Sequence, residues 1–385
     1  MTACVTVLII GAGCRGKHYS CFAVHFPSRM KVVGVADPHT FARNNLQKIH
    51  NIDKKNVFND WKAATERERF ADAVVIATPD RLHKAPAIAF ANKGYHILLE
   101  KPMAVTPEDC KEIASACKAN NVMLAVCHVL RYYPASLKIK ELLDAGAIGD
   151  ICHIQHLEPI GFWHFAHSFV RGNWRNEAET TFSLLAKSCH DIDLINFWMG
   201  DKRCLKVSSF GSLSHFTNSH KPKGAASRCL DCSVEQTCPY SAKKIYLKLA
   251  EKVVNMEFEG GATAAFTMMA FTERLGTRKT TVYGTKGELF CDGSGPVEVF
   301  DFCTREKTVH PTNKSTVIPS QLMGHDGADY YLMDSFISAV AENKPSLIQT
   351  GPEATLQTHL LVFEAEKSRK ENRVVFVETR KEHFP

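Results

Sequence analysis

The sequence lacks any apolar run long enough to cross a bilayer. The first apolar run covers residues 5–10, has no basic leader and ends directly on a glycine. A membrane-spanning helix needs about 20 apolar residues, and a secretory signal needs a basic start before its apolar stretch. We therefore expect a cytoplasmic chain without a membrane partner.

The chain also lacks a strong charge of either sign. Its 47 Lys and Arg residues and 41 Asp and Glu residues leave a net charge of +6. No dense basic stripe alternates with aromatic residues, which argues against a nucleic acid partner, and there is no internal repeat or low-complexity tract. With 385 residues, 45% hydrophobic and 23% charged, the composition is typical of a soluble globular protein of two or three domains.

The 14 cysteines do not indicate a disulfide framework. Five of them occupy strand-like or helix-like patterns as small apolar residues: Cys4, Cys14, Cys110, Cys117 and Cys127. A buried free cysteine behaves as a small hydrophobic residue, and disulfides are rare in the cytosol. We therefore expect reduced thiols.

The clearest motif lies in residues 5–16. An apolar, β-branched run leads into three glycines at the G-x-G-x-x-G spacing, and the six motif residues include Gly11, Gly13, Cys14, Arg15 and Gly16. The first glycine permits a tight turn, the second allows close approach of a pyrophosphate, and the third lets the next helix pack closely. The N-terminus of that helix favours an anion through its free N–H groups and its dipole. The stretch predicts a dinucleotide-binding turn.

A second apolar run, residues 31–37, is typical of the next strand and ends on Asp37, 21 positions after Gly16. An acid at this position accepts hydrogen bonds from ribose hydroxyls and repels a 2′-phosphate, which favours NAD. His39 and Arg43 offer cations for a 2′-phosphate, and they leave NADP open as the alternative.

Strands and helices alternate over the first 128 residues. Strand-like runs cover residues 5–10, 31–37, 73–78, 94–100 and 122–127. Alternation of this kind predicts an α/β fold with a doubly wound parallel sheet. We expect a Rossmann domain over residues 1–128.

Polar residues follow two of these strands. Thr78, Pro79 and His83 come after one strand, and Glu100 and Lys101 come after the next. Loops at the C-terminal ends of parallel strands form the binding site of such a sheet, so we expect these residues at the cofactor. Local interpretations stay open, namely helix capping in the first loop and a surface ion pair in the second.

From residue 129 the pattern changes to short strand-like runs joined by tight turns. The runs cover residues 151–158, 206–211, 253–259, 262–270, 279–283, 287–291 and 297–303, and helices are expected at residues 328–342 and 352–367. Short connections favour antiparallel hairpins. We predict an α+β domain over residues 129–385 with a large, mostly antiparallel open sheet and a cysteine-containing insertion at about residues 215–244.

The order of these motifs resembles the Gfo/Idh/MocA family, which includes glucose-fructose oxidoreductase and inositol dehydrogenase. The resemblance rests on the glycine turn, the acid after the second strand, Thr78-Pro79 with His83, Glu100-Lys101-Pro102, Arg131-Tyr132, Trp174-Arg175 and residues 189–193. It implies a Rossmann domain, a C-terminal α/β domain that often mediates homo-oligomers, and a cis bond before Pro102. It also implies NAD(P)-dependent oxidoreduction of CH–OH groups in a sugar, polyol or related small molecule.

By this resemblance the catalytic residues are Lys101 and His190. Removing hydride from an alcohol requires that the hydroxyl proton also leaves, so a base must lie within hydrogen-bond reach. The chain departs from the family at Ala186, where many members carry an aspartate four residues before the histidine. Lys187 offers a positive charge to a substrate oxyanion. Asp193 shares a helix face with His190 as a further substrate candidate, with packing or capping as its alternative role.

Residues 153–175 predict a wall of the substrate site. Arg171, Trp174 and Arg175 suit a polyhydroxylated or anionic ligand through forked donors and an aromatic face. Arg131, one of the residues that carry the resemblance, is placed with them. The alternative is a packed loop in which the arginines pair with neighbouring glutamates.

Two groups of residues have the character of metal ligands. They are the histidines at positions 153, 156, 164 and 167, and the thiols of Cys229, Cys232 and Cys238. The histidines have no carboxylate cluster nearby, so a substrate wall is the better hypothesis for them. The three thiols offer a structural zinc site that still needs a fourth ligand; a disulfide or free thiols are the alternatives.

Two other functions stay open. A glycosidase that oxidises and re-reduces its sugar on a retained NAD uses the same fold in related proteins. A nucleotide-binding sensor without turnover is motivated by the missing acid at Ala186. The presence of both Lys101 and His190 favours the oxidoreductase.

Overall fold

The structure is a computed structural model. It describes residues 3–213, 215–242, 254–258, 262–269, 272, 276–293, 295–312 and 318–377. The chain divides into two compact units. Of the described residues, the first unit holds those within 1–136 and 313–360, and the second holds those within 137–312 and 361–377.

The first unit is built on a parallel sheet. Its strands are β1 (Val5–Ile10), β2 (Met30–Ala36), β3 (Val57–Phe58), β4 (Ala73–Ile76), β5 (His96–Leu99) and β6 (Leu124–Val126). They lie in the order β3-β2-β1-β4-β5-β6, and every pairing is parallel. This is the strand order of the doubly wound dinucleotide-binding fold, in which ligands bind outside the carboxyl ends of the strands. The predicted α/β fold class is confirmed.

Helices follow most of these strands. In the first 120 residues they are Cys14–His25, Thr40–His50, Trp61–Thr65, Lys84–Asn92 and Pro107–Ala119. The start of the last one shows why the sequence folds this way locally. Thr106 caps it by accepting a hydrogen bond from the N–H of Asp109, and Pro107 occupies its first turn. A capping threonine followed by proline is a strong start signal for a helix.

The second unit is built on a mixed sheet. Its strands are β7 (Ile151–Pro159), β8 (Cys204–Ser208), β9 (Val254–Phe258), β10 (Thr263–Met269), β11 (Lys279–Gly284), β12 (Gly287–Asp292), β13 (Val297–Asp301), β14 (Lys307–His310) and β15 (Val375–Phe376). The order is β14-β13-β12-β11-β7-β10-β9-β8-β15. Among the described strands of this second sheet, only the pairing of β7 with β10 is parallel, so the predicted mostly antiparallel sheet is confirmed.

The remaining helices are longer on average. They are Pro134–Asp144, Ser183–Met199, Ala328–Glu342 and Pro352–Glu371, together with a short helix Phe162–Phe165 that runs into a π-helical stretch Ala166–Arg171. The helix Ser183–Met199 packs on the second sheet, where the hydroxyl of Ser188 reaches the sulfur of Met268 at 2.6 Å. Among the described residues, no helix combines the length and the hydropathy that crossing a bilayer requires.

The observed units differ from the division at residue 128 that the sequence predicts. Residues 313–360 belong with the first unit. There the helix Ala328–Glu342 packs on the helix Cys14–His25, with the rings of Tyr330 and Phe22 stacked 6.1 Å apart. The sequence pattern shows that a helix forms but not which sheet a distant helix joins. The domain boundaries 1–128 and 129–385 stay a prediction. Residues 243–244, at the end of the predicted insertion, lie outside the described residues.

Candidate active site

The glycine turn after β1 is fixed by close packing. Gly11 has a φ of +90°, and a Cβ atom on it would lie 2.5 Å from the carbonyl oxygen of Ala77. A Cβ atom on Gly16 would lie 1.9 Å from the carbonyl oxygen of Gly11. Both obstructing atoms belong to the backbone, so neither position accepts a larger residue. The turn has the tight packing that the glycine spacing predicts.

Gly13 differs from the other two glycines. A Cβ atom on it would meet nothing within 4 Å, so the turn opens onto free space at this point. Gly13 is also the N-cap of the helix that starts at Cys14, and the first turn of that helix carries no acidic residue. The unpaired N–H groups and the positive end of the helix dipole lie at this end. The turn therefore fits a dinucleotide pyrophosphate.

Asp37 follows β2 and is tied to the glycine turn. Its side chain is buried; Oδ2 accepts a hydrogen bond from the N–H of Ala12, and Oδ1 accepts one from the N–H of His39, each at 2.7 Å. Arg43 donates to the carbonyl oxygen of Asp37 at 2.6 Å. A carboxylate offers about four acceptor sites, so two are left for ribose hydroxyls.

The buried side chain of His83 contacts the loops after both β4 and β5. The Nδ1 atom of His83 lies 2.7 Å from the carbonyl oxygen of Pro102, and its Nε2 atom lies 2.9 Å from that of Thr78. The hydroxyl of Thr78 donates to the carbonyl oxygen of Leu82 at 3.2 Å, a local contact that differs from the helix cap that stayed open for it. Contact of Thr78, Pro79 or His83 with a cofactor stays a prediction.

Lys101 follows β5 and precedes a cis peptide bond to Pro102, as the family resemblance implies. The N–H of Lys101 donates to Oε2 of Glu100 at 2.8 Å. Two residues later, the N–H of Met103 donates to Nε2 of His359 at 2.9 Å. The backbone is therefore held on both sides of Lys101, whose side chain is partly exposed.

The side chains of Arg15 and Glu100, both predicted cofactor contacts, bind each other. Nε of Arg15 donates to Oε1 of Glu100 at 2.6 Å, and the same oxygen accepts a hydrogen bond from the hydroxyl of Tyr19 at 2.7 Å. The two terminal nitrogens of Arg15 each donate to Asp329 at 2.9 Å. Burial alone would raise the pKa of Glu100, but the charges of Arg15 and Lys101 hold it below its ordinary value. Contact of either side chain with a cofactor stays a prediction.

His190 lies in the second unit, on the helix Ser183–Met199. His190 is 2% exposed, Ala186 is 3% exposed and Asp193 is fully buried. The methyl group of Ala186 therefore occupies a buried position on this helix. The roles of His190 as a catalytic residue and of Asp193 as a substrate contact stay predictions.

The same helix contributes to a buried charge network on the sheet. Glu158 lies 3.2 Å from the ammonium of Lys187 and 2.9 Å from the guanidinium of Arg278. Nε of Arg278 donates to Oδ1 of Asp191 at 2.6 Å, and Nε2 of His156 lies 3.1 Å from the same oxygen. Both carboxylates are fully buried. Lys187, which the sequence assigns to the substrate, thus has an internal carboxylate partner.

The pKa of Asp191 links the stability of the fold to pH. Burial alone would raise this pKa, but Arg278 and His156 lower it far below its ordinary value. An unfolded aspartate titrates near pH 3.9. On acidification the unfolded chain therefore takes up this proton first, and the stabilisation by Asp191 is present above about pH 4 and is lost as the pH falls toward the folded value.

We expect the free energy of unfolding to fall below about pH 4, by up to about 1.4 kcal/mol per pH unit for this one carboxyl group. Asp191→Asn should be less stable than the unsubstituted chain at neutral pH and should show a shallower acid dependence. Urea unfolding between about pH 7 and pH 3 measures both slopes. Equal slopes for the two proteins would contradict this assignment.

The predicted substrate residues have structural partners of their own. Arg171 donates to the carbonyl oxygen of Tyr240 at 2.7 Å, and Arg131 is buried and donates to that of Gln349 at 3.0 Å. The ring of Trp174 lies against that of Phe169, with centroids 6.1 Å apart. Arg175 is exposed and pairs with Glu179 at 3.3 Å, as the packed-loop alternative expects. Substrate contact by these four residues stays a prediction.

The candidate metal ligands do not assemble in the described part of the chain. Cys229, Cys232 and Cys238 all carry free thiols. Among the described residues, no group of three ligand atoms within 4.8 Å of one another includes these thiols or the histidines of residues 153–167. His153 and His156 instead contact Thr263 and Asp191 through their ring nitrogens. A structural zinc therefore finds no support in this geometry.

Sequence reasoning missed Asp329 and Arg278. Asp329 lies 314 positions from its partner Arg15, and Arg278 lies 87 positions from Asp191. Spacing arguments work over a few helical turns and cannot pair such residues. A usable signal existed all the same, because Glu158 and Asp191 are acids next to apolar residues in a strand and a helix, and a buried acid needs a partner.

Two family models match most of the chain. The model described as the oxidoreductase family, NAD-binding Rossmann fold, matches residues 5–128. The model described as the oxidoreductase family, C-terminal alpha/beta domain, matches residues 140–377. The first match contains the glycine turn, Asp37 and Lys101, and the second contains His190.

The chain is similar to parts of several curated proteins. It is 25% identical over 209 residues to a 2,7-anhydro-N-acetylneuraminate hydratase of Escherichia coli, covering 54% of this chain and 53% of the relative. It is 40% identical over 138 residues to inositol 2-dehydrogenase 1 of Saccharopolyspora erythraea, covering 36% of this chain and 37% of the relative. The matched segments thus span about half or less of these two relatives.

Several solved structures are similar over nearly the full length. Among them is an inositol dehydrogenase homolog from Azotobacter vinelandii complexed with NADH and myo-inositol, with a TM-score of 0.74, 18% identity and 97% coverage of each chain. At that identity the likeness establishes a shared fold.

Proposed function

Since the chain belongs to the Gfo/Idh/MocA oxidoreductase family, we propose that it transfers hydride between a nicotinamide dinucleotide and a hydroxyl-bearing carbon of a sugar or polyol. The observation that carries the proposal is the glycine turn. Gly13 opens onto free space at a helix N-terminus, while the backbone around Gly11 and Gly16 is locked in place. Such a turn suits a pyrophosphate.

The residues around the turn favour NAD over NADP. The carboxylate of Asp37 is held by the backbone N–H groups of Ala12 and His39, so it cannot turn aside to admit a 2′-phosphate without losing both bonds. Arg43 is already bonded to the carbonyl oxygen of Asp37. Comparing the dissociation constants of NADH and NADPH tests this preference, and tighter binding of NADPH would overturn it.

Lys101 and His190 are the proposed acid–base residues. When bound, the dinucleotide supplies the hydride acceptor, and the protein must remove the hydroxyl proton of the alcohol. An amine and an imidazole can both take and return a proton. The backbone bonds on either side of Lys101 hold it at the C-terminal end of β5, the edge at which such sheets bind their ligands.

The substrate class follows from chemistry shared with the relatives. One relative is named for inositol and another for an anhydro sugar acid, both of them polyhydroxylated rings. The direct test incubates the protein with NAD and a panel of cyclitols, aldoses and sugar acids, and follows formation of NADH by its absorbance. Turnover of one class supports the proposal; tight NAD binding without turnover on any member would favour a sensor.

Replacing Gly13 with alanine is expected to weaken cofactor binding without loosening the fold. Gly13 has φ −69° and ψ −165°, which alanine also adopts, and the new methyl group would meet no protein atom. It would instead occupy the space proposed for the pyrophosphate. We expect an unchanged melting temperature and a dissociation constant for NAD raised about tenfold or more, measured by calorimetry.

The matched control is Gly351→Ala, because that position also has nothing within 4 Å and lies outside the glycine turn. It should leave NAD affinity within about twofold of the unsubstituted chain. If Gly13→Ala binds NAD as tightly as Gly351→Ala, the dinucleotide does not lie at this turn.

A redox-neutral reaction on a retained cofactor is the second candidate. It is favoured by the relative named as a hydratase. It requires that NAD stays bound through purification and that substrate disappears without net formation of NADH. Product analysis by mass spectrometry beside the absorbance assay separates the two candidates.

A further inference from the structure

A strained turn precedes the helix Ala328–Glu342. His325, Asp326 and Gly327 have φ values of +49°, +56° and +93°, so three consecutive residues are in the left-handed region. For a residue with a side chain this conformation costs free energy, and such outliers persist where the surrounding structure demands them. The proposed function uses neither the turn nor the helix.

The turn is shaped around one buried carboxylate. Asp329 is fully buried, and His325 reaches its Oδ1 atom through Nδ1 at 3.0 Å. From another helix, Nε2 of His18 lies 3.0 Å from Oδ2. A Cβ atom on Gly324 would lie 1.9 Å from Oδ2 of Asp329 and 2.8 Å from Nε2 of His18. Only glycine allows this approach, so the turn is built to bring donors to Asp329.

The third partner of Asp329 is Arg15, inside the glycine motif. Its two terminal nitrogens bind both oxygens of Asp329 at 2.9 Å, which is the bidentate geometry of the strongest arginine–carboxylate pairs. Its Nε atom binds Glu100, and Glu100 in turn accepts the N–H of Lys101. Asp329 is thus connected to the backbone of the proposed catalytic lysine by a chain of three hydrogen-bonded contacts.

The groups around Asp329 keep its carboxyl group negatively charged. Burial alone would raise the pKa of Asp329, but His18, His325 and Arg15 hold it well below its ordinary value. The carboxylate is therefore ionised throughout the neutral range. The guanidinium of Arg15 pairs with the carboxylates of both Asp329 and Glu100.

We propose that Asp329 is a positioning residue for the cofactor turn, acting through Arg15 to lock residues 11–17 and the Glu100–Lys101 segment into one rigid arrangement. The proposal rests on the proposed function, because it assigns the turn to a dinucleotide. It goes beyond that function by giving a role to a residue distant from the glycine motif in sequence. We call the group Asp329, His18, His325, Arg15 and Glu100 the anchor cluster.

The test is Asp329→Asn. Four nitrogen atoms lie within 3.0 Å of the Asp329 carboxylate: two of Arg15, one of His325 and one of His18. An asparagine amide has one acceptor oxygen, so about half of these nitrogen atoms would face a group that cannot accept a hydrogen bond. Without cofactor, we expect faster amide hydrogen exchange over residues 11–17. With cofactor, we expect the dissociation constant for NAD to rise about tenfold and kcat to fall.

The matched control is Asp334→Asn on the same helix. Asp334 also pairs with an arginine, Arg29, but it is half-exposed and has no link to the glycine motif. It should leave exchange over residues 11–17 and NAD affinity unchanged. Faster exchange and weaker binding in Asp329→Asn alone support the anchor; equal effects of the two variants, or unchanged exchange in Asp329→Asn, overturn it.

Arg15→Lys provides a second variant should Asp329→Asn fail to fold. Lysine keeps the positive charge but cannot bridge Asp329 and Glu100 as a planar fork does. The expected exchange over residues 11–17 is again faster, and unchanged exchange would overturn the proposal. If the unsubstituted protein does not bind NAD at all, the proposed function fails, while the exchange measurement still decides whether the anchor cluster holds the turn.

Discussion

Replacement of Lys101 by alanine is expected to lower kcat by about 10² to 10⁴-fold while leaving the dissociation constant for NAD within about threefold of its value in the unsubstituted chain. The loss is large because hydride leaves the carbon of an alcohol only when a base takes the proton of the hydroxyl oxygen bound to that carbon. Cofactor binding should survive, since the backbone of this loop is held by hydrogen bonds to Glu100 and His359. Steady-state kinetics and calorimetry on the same preparation measure the two quantities.

Two further variants show whether the proton or the charge matters. Lys101→Arg keeps a positive charge but cannot release a proton near neutral pH, so it should be nearly as inactive as the alanine variant. Lys93 is an exposed lysine before the N-terminal end of β5, and Lys93→Ala should retain full turnover. Turnover in Lys101→Ala comparable to that of Lys93→Ala would remove Lys101 from the mechanism.

The first sheet could be predicted from the sequence because its signal is local. All four residues of β4 are apolar and fully buried, so a short apolar run between helical segments is sufficient to identify the strand. The glycine motif is equally local. Its spacing predicts both the turn and the helix start that the backbone adopts.

The edge strands of the second sheet, β14 and β15, have no such local pattern in the sequence. β14 is exposed along most of its length and reads Lys-Thr-Val-His, and β15 has two residues. Neither has enough apolar residues for an alternating pattern. Their strand conformation comes from hydrogen bonds to β13 and β8, which a single sequence does not reveal.

The candidate site shows the same limit in its charged residues. Arg15 and Glu100 were identified as site residues because they lie in local motifs, but their mutual bond spans 85 positions. Asp329, the other partner of Arg15, lies in a helix whose pattern predicts only its apolar face. The sequence therefore predicts the segments that form the site but not the ion pairs that join them.

The buried network around Arg278 should be the main electrostatic contribution to the second unit. We expect Arg278→Met to lower the free energy of unfolding by about 3–5 kcal/mol, the range found when one partner of a buried ion pair is removed. Glu158 and Asp191 are fully buried, and each would lose its guanidinium contact at 2.9 Å and 2.6 Å. Lys187 and His156 would then be their remaining partners within the network. Urea unfolding at neutral pH measures the loss.

The control is Arg373→Met, because Arg373 and its partner Glu371 are 53% and 42% exposed at the side chain. An exposed pair of this kind contributes about 1 kcal/mol or less. In Arg278→Met the carboxylates of Glu158 and Asp191 stay buried without their guanidinium partner. Neutralising both should restore part of the lost free energy of unfolding, so Arg278→Met combined with Glu158→Gln and Asp191→Asn should be more stable than Arg278→Met alone. If Arg278→Met lowers the free energy of unfolding by no more than Arg373→Met does, the network does not hold the helix that carries His190 against its sheet.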